Sequence, residues 1–208
     1  MPDATPPGGD PRATHGIVSW PAKVRRAGPN RPPLGGAAVL RYHGGVTRNQ
    51  SDEGPEFYCD AMLGGLARWL RAAGYDAEFE YGIEDGVLVD RAREARRVLL
   101  SSDSRLFERN VIKNAEIRAL FVPRGLDKLA QLEFVMRELS LGLREPRCMG
   151  CGGELREVPK HEAAGEAPPL AFRSCDRFWR CARCGKLLWH GTHWQTVTRR
   201  LREVAERV

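Results

Sequence analysis

Phe57-Tyr58-Cys59-Asp60-Ala61-Met62-Leu63-Gly64-Gly65-Leu66-Ala67-Arg68-Trp69-Leu70-Arg71-Ala72-Ala73-Gly74 is the stretch on which the fold turns. Its first three residues are a short apolar run, as in a buried strand. Met62, Leu63, Leu66, Trp69, Leu70 and Ala73 then recur at helical spacing, with Arg68 and Arg71 on the other face. Gly74 closes that helix as a C-terminal cap.

The same alternation continues downstream. Ala77, Phe79 and Tyr81 alternate with acidic residues, as on a half-exposed strand. Residues 84–95 read as a second helix through Val87, Leu88, Arg91, Ala92 and Ala95. Val98-Leu99-Leu100 is another short buried strand, 105–110 a short helix, and Ile117 to Val122 a further strand. An amphipathic helix over 127–140 uses Leu129, Leu132, Met136 and Leu139. Strands alternating with helices predict an α/β fold, a parallel sheet with helices on both faces. A basic helix over about 195–206 ends the chain.

Upstream the character changes. Residues 1–55 hold nine prolines and nine glycines, a share above the roughly 25–30% that suggests disorder. Ala37-Ala38-Val39-Leu40 is a candidate strand without a clear partner. The segment reads as a flexible, mildly basic tail; a start codon further in is the other reading. The predicted division is therefore a tail at 1–55, an α/β domain at 56–143 and a C-terminal module at 144–208.

Of the 208 residues, 42% are hydrophobic and 29% charged, which is globular. No run of eighteen apolar residues suggests a membrane span, and no basic-then-apolar start suggests a signal peptide. The expectation is a cytoplasmic protein. A net charge of +6 and an isoelectric point near 9.2 favour a polyanionic partner, nucleic acid first.

Six cysteines are present, and four form two pairs, Cys148-x-x-Cys151 and Cys181-x-x-Cys184. In a reducing compartment such pairs are metal ligands or redox motifs, not disulfide scaffolding. Glycines follow the second cysteine of each pair, where a knuckle turn often needs positive φ. Two knuckles make a tetrahedral site of four sulfurs with no open position, which suits one structural zinc ion. The 29 residues between the knuckles exceed the usual ribbon, and 159–171 are read as a looped insert. Cys175 is taken as a bystander and Cys59 as core.

Asp60 directly follows the first strand, and Asp103 follows Val98-Leu99-Leu100 after two serines. Strand ends of a parallel sheet share one edge, where ligands bind. Asp85, beside Glu84, opens the second helix and leans toward the same edge. Carboxylates gathered there repel unless a cation joins them, and hard oxygens suit Mg²⁺ or Mn²⁺. The competing reading is helix capping, for which Asp85 and Asp103 are both well placed.

These residues carry a resemblance. Asp60-Ala-Met-Leu-Gly-Gly-Leu-Ala-Arg-Trp-Leu-Arg71, Gly74-Tyr-Asp76, Leu99-Leu-Ser-Ser-Asp103-Ser-Arg-Leu106, and two knuckles ending in Leu188-Trp-His-Gly-Thr-His-Trp194 resemble the Mut-seven C-terminal RNase domain family. The resemblance covers about 57–200. It implies a small three-layer PIN-like nuclease domain fused to a zinc ribbon, and a metal-dependent ribonuclease. Carried over by position, Asp60, Asp85 and Asp103 are the catalytic residues, with Asp60 and Asp103 as ligands of Mg²⁺ or Mn²⁺. Ser102 stands where the family often has arginine or lysine. The run Ile83-Glu84-Asp85-Gly86 is less acidic than usual, which leaves Glu84 or Asp90 as substitutes for the third ligand. Some members carry a ubiquitin-like N-terminal domain, for which residues 1–55 are too short and too broken.

Arg144, Arg147, Arg173, Arg177, Arg180, Arg183 and Lys186 surround the knuckles, interleaved with Trp179, Trp189 and Trp194. That is the composition of a single-strand binding surface. The simpler reading packs Trp179 and Trp189 between ribbon and nuclease domain; Trp194 is left open. His190 and His193 are not needed by a four-cysteine site, though His193 could contact phosphate. Arg68 and Arg71 either face substrate or are solvated. The leading expectation is cleavage of single-stranded RNA. The alternatives are a non-catalytic RNA- or ribosome-binding zinc protein and a protein-interaction adaptor.

Overall fold

The computed structural model describes residues 54–208. The expected tail at 1–55, with its candidate strand at 37–40, lies outside the described residues except for Gly54 and Pro55.

Four parallel strands form the first sheet: β1 (Phe57–Cys59), β2 (Ala77–Phe79), β3 (Val98–Ser101) and β4 (Ala119–Phe121), in the order β2-β1-β3-β4. Helix α1 (Gly64–Ala72) joins β1 to β2. Helix α2 (Asp85–Glu94) carries the chain back across β1 to β3. A parallel crossover is right-handed, so reversing direction at β2 places α1 and α2 on opposite faces. Two successive crossovers in the same direction share a face. The 3₁₀ turn Ser104–Glu108 and α3 (Asn110–Lys113), which lead from β3 to β4, accordingly lie with α2. Helix α4 (Lys128–Glu138) returns to the side of α1.

Side chains alternate across the sheet. Phe57, Cys59, Val98 and Leu100 point into one core with Leu66 and Leu70 of α1 and Leu132, Val135 and Met136 of α4. Tyr58 and Leu99 point into the other, with Leu88, Val89 and Ala92 of α2, Leu106 and Ile112. Burial on both faces explains why β1 and β3 read as continuous apolar runs.

Helix α1 ends where Gly74 takes φ +100, its N–H bonded to Arg71 O and that of Tyr75 to Leu70 O. Asp127 caps α4, its Oδ1 accepting from the backbone N–H of Leu129 and Ala130.

The second sheet is antiparallel: β5 (Leu155–Val158), β6 (Phe178–Cys181) and β7 (Leu187–Trp189), with β6 central. The insert at 159–171 is more than the expected loop. It contains a 3₁₀ turn, Lys160–Ala163, and the start of α5 (Pro169–Ser174). Ala163 and Ala167 bury against Cys175, Phe178 and Leu187 as a small core of the ribbon's own. The last helix, α6 (Thr192–Ala205), does not stay with the ribbon. Val197, Leu201 and Val204 sit in the core of α1 and α4, and Trp194 packs at its margin.

Three local expectations change. Ala61–Leu63 is a 3₁₀ turn, not the first turn of α1, and Met62 is left 57% exposed instead of joining the apolar stripe. Tyr81 lies beyond β2 in a turn closed by Gly82 at φ +72, and is exposed. Arg71 does not share the solvent face of Arg68; only 6% of it is accessible.

Candidate functional site

The reversal of strand order places a switch point between β1 and β3, the position at which open α/β sheets bind ligands. Asp60 emerges from β1 there, with its N–H bonded to Leu100 O across the strand pair. Its side chain is 6% exposed. Asp103 emerges two residues beyond β3. The hydroxyl of Ser101 joins the two: it donates to Asp60 Oδ2 and accepts from the backbone N–H of Asp103 at 2.9 Å.

Asp103 also caps the 3₁₀ turn, Oδ1 accepting from Arg105 N at 3.0 Å. The capping alternative is therefore realised for Asp103. It is not realised for Asp85, which occupies the first position of α2 behind Glu84 and makes no capping bond. Glu84 is exposed, as is Asp90. Among the described residues, one carboxylate oxygen each of Asp60 and Asp103, and both of Asp85, accept no protein hydrogen bond. Those are the free hard-oxygen donors of the edge.

Arginines complete the edge. Arg124, from the loop after β4, donates from Nε to Ser102 O at 2.8 Å, and its Nη2 lies 3.8 Å from Asp103 Oδ1. Ser102 Oγ donates to Val122 O at 2.7 Å, tying the β4 loop to the end of β3. Arg109 lies beside Gly86 at the start of α2.

Among the described residues, the group of three or more potential ligands with donor atoms within 4.8 Å of one another is Cys148, Cys151, Cys181 and Cys184. Cys148 and Cys184 have their sulfurs 3.9 Å apart, and Cys151 and Cys181 3.4 Å. Tetrahedral zinc with bonds of about 2.3 Å requires about 3.8 Å between sulfurs, so the thiols fit such an ion. Burial and the neighbouring thiols push Cys151 up to about 12. Burial opposes ionisation of Cys181 as well. Backbone N–H groups of Cys184 and Arg183 and the other thiols outweigh it and bring Cys181 down to about 7. Zinc bound by these four thiols would therefore displace protons. Asp60, Asp85 and Asp103 do not converge to comparable spacing. Cys59 is buried core, and burial pushes its thiol up to about 12. Cys175 belongs to the ribbon's small core. His190 and His193 are exposed and stand outside the thiol cluster.

A second polar cluster locks the knuckle to the parallel sheet. Arg71 donates from Nε to Ala77 O at 2.7 Å and from Nη1 to Gly150 O at 2.7 Å and Met149 O at 3.2 Å. Burial lowers its pKa, against the pull of nearby thiols and Asp76. Asp76 Oδ2 lies 3.3 Å from Arg97, 3.4 Å from Arg183 and 3.7 Å from Arg147. Gly152, at φ +79, passes so close that a Cβ would stand 2.9 Å from Asp76 Oδ1. Arg183 also donates to Cys151 O at 2.7 Å. Arg147 and Arg183, read in the sequence as a nucleic-acid surface, are thus engaged in the joint.

The sequence model of the Mut7-C RNAse domain matches residues 55–201. The chain belongs to the Mut7-C RNAse domain family. No curated protein and no solved structure gives a match. The matched span of this Mut7-C chain runs from β1 through the thiol cluster to Leu201 of α6. The family match thus covers both sheets and the helix that returns from the second to the first.

Ser101, Arg124 and Asp76 of this Mut7-C chain carry no motif that marks their roles in the sequence. Ser101 was legible only as a small residue before Asp103. Arg124 sits in a loop with no motif. Asp76 was visible in Gly74-Tyr-Asp76, but the arginines that gather on it are 21 to 107 residues away.

Proposed function

We propose that this chain is a metal-dependent ribonuclease that hydrolyses phosphodiester bonds of single-stranded RNA at the edge formed by Asp60, Asp85 and Asp103. The observation that carries the reading is the pairing of Asp60 with Asp103 through Ser101 at the switch point, in a chain of the Mut7-C RNAse domain family. The free carboxylate oxygens fit Mg²⁺ or Mn²⁺, and Asp60 and Asp103 would hold it. Such an ion, when bound, supplies Lewis acidity and an activated water at a phosphodiester.

The protein's own groups do the rest. Ser101 holds Oδ2 of Asp60 and leaves its second oxygen without a protein partner. Arg124 offers a cation beside Asp103, suited to a non-bridging phosphate oxygen. Asp85 has both oxygens free and is the group available to orient a water or take its proton. We divide the chain into a nuclease part at 56–143 and a zinc-ribbon part at 144–208. The ribbon braces the fold through Arg71 and Asp76, and α6 carries its end back to the nuclease part. Paired free cysteines suit a reducing compartment, where disulfides are rare, and this favours the cytoplasm.

The test is incubation of purified protein with single-stranded RNA and Mn²⁺, beside the Asp60→Asn/Asp103→Asn variant. Cleavage by the wild type alone is expected. Equal cleavage by both, or by neither, defeats the enzyme reading. In the latter case, RNA binding that survives the double substitution would favour a non-catalytic RNA-binding protein.

A further inference from the structure

Met62, Trp69, Leu126, Leu129, Lys128 and Arg200 line a groove of about 500 Å³ between α1, the loop leading into α4, and α6. That volume lies within the roughly 300–1,000 Å³ of small-molecule sites. The groove begins beside the carboxylate edge: Met62 is two residues from Asp60, and Leu126 is two residues from Arg124. Its floor is apolar. Trp69 is half-buried, packing on the core from one side and lining the groove on the other. Met62, turned outward by the 3₁₀ turn, is an exposed thioether with no role in the core. Its rim is cationic. Lys128 lies across α1 where Gly65 leaves room; a Cβ at 65 would stand 2.8 Å from Lys128 Cδ. Arg200 approaches from α6 and faces Asp127. Asp127 also lines the groove, but its Oδ1 is held by the backbone of Leu129 and Ala130.

An apolar slot with an aromatic wall, two cations on its rim and a phosphodiester-cleaving edge at one end matches the chemistry of one nucleotide. The geometry points to a nucleotide subsite in this groove, which takes the base of a single-stranded RNA residue flanking the cleaved bond against Met62 and Trp69 while Lys128 and Arg200 meet its phosphates. The inference rests on the ribonuclease reading for its substrate. It gives α6 a second task, since Arg200 reaches the groove only because that helix leaves the ribbon for the α1–α4 core.

The test is a binding measurement that does not need cleavage. Full-length Asp60→Asn/Asp103→Asn protein is titrated onto a fluorescent single-stranded RNA, and the affinity is followed with salt. Adding Lys128→Gln/Arg200→Gln is expected to flatten the slope of log K against log salt by about 1.4, two phosphate contacts at about 0.7 each. Adding Met62→Ala is expected to weaken binding about threefold to tenfold without changing that slope, a loss at the lower end of base-stacking contributions. Arg93→Gln/Lys113→Gln, on the α2–α3 side, is the control and is expected to change neither. An equal loss in the control, or unchanged slope and affinity in both groove variants, overturns the subsite. No RNA binding by any form overturns it too. If wild type cleaves RNA while the groove variants bind normally, the subsite fails and the ribonuclease reading stands. If the groove variants behave as expected but wild type never cleaves, the reverse holds.

Discussion

Arg71 illustrates what a single residue decides in this protein. From the spacing of apolar positions it belongs to a solvent face, and that spacing carries no information about a second module docking there. In the structure its guanidinium joins the end of α1 to β2 and to the first cysteine knuckle. Removing it strands the buried Ala77 carbonyl and unties two part-buried ones, so Arg71→Met is expected to cost about 1–3 kcal/mol, read as a shift in the denaturation midpoint; a change within experimental error would show that the joint is dispensable. Asp60 and Asp103 were legible because a carboxylate after an apolar run marks a strand end. Ser101 was not, because its importance lies in one hydroxyl serving two partners. Ser101→Ala is expected to slow RNA cleavage about ten- to a hundredfold, the usual loss on removing an outer-shell partner of a ligand, with the fold intact by circular dichroism. An unchanged rate would mean that Asp60 is positioned without it.

At the level of elements β1, β3, α2 and α4 were readable to within a few residues, because buried strands write continuous apolar runs and packed helices write stripes into the sequence, whereas the helix expected at 105–110 is a 3₁₀ turn, Ser104–Glu108, followed by α3. The insert between the knuckles was not readable, since its small core uses alanines, Ala163 and Ala167, that carry little hydrophobic signal. The Gly74 cap was legible and is sharply constrained. Gly74→Ala places a Cβ at φ +100 against Arg144 and Glu145, and should cost at least about 1–2 kcal/mol from the backbone alone. A melting temperature equal to wild type would contradict that. Asp127 gives α4 a pH-dependent cap. The backbone N–H groups of Ala130 and Leu129 hold its carboxyl below the usual carboxylate range. A depressed folded pKa contributes stability above the unfolded value and loses it as pH falls through the folded one. The melting-temperature gap between wild type and Asp127→Ala should therefore be full at neutral pH and close below about pH 4; a gap that persists in acid would show that the carboxylate is not its source.

At the scale of the whole fold, the described residues 54–208 behave as one compact unit, and two devices make them so. One is the arginine cluster on Asp76, which ties the cysteine knuckle to β2. The other is α6, whose apolar face completes the core under α4. Periodicity marked α6 as a basic helix but could not tell which module it would pack on. Zinc removal should therefore loosen more than the ribbon. Hydrogen exchange is expected to accelerate at 147–158 and 178–189, and also at the C-terminal turn of α1; acceleration confined to the ribbon would show that the joint transmits nothing. The proposed role of the carboxylate edge is tested most directly by the single-turnover rate of RNA cleavage in Mn²⁺ by wild type and by Asp60→Asn. The account predicts metal-dependent cleavage by the wild type and a loss of at least about a hundredfold in the variant, as for removal of a group acting on the transition state. Equal rates in the two proteins would contradict it.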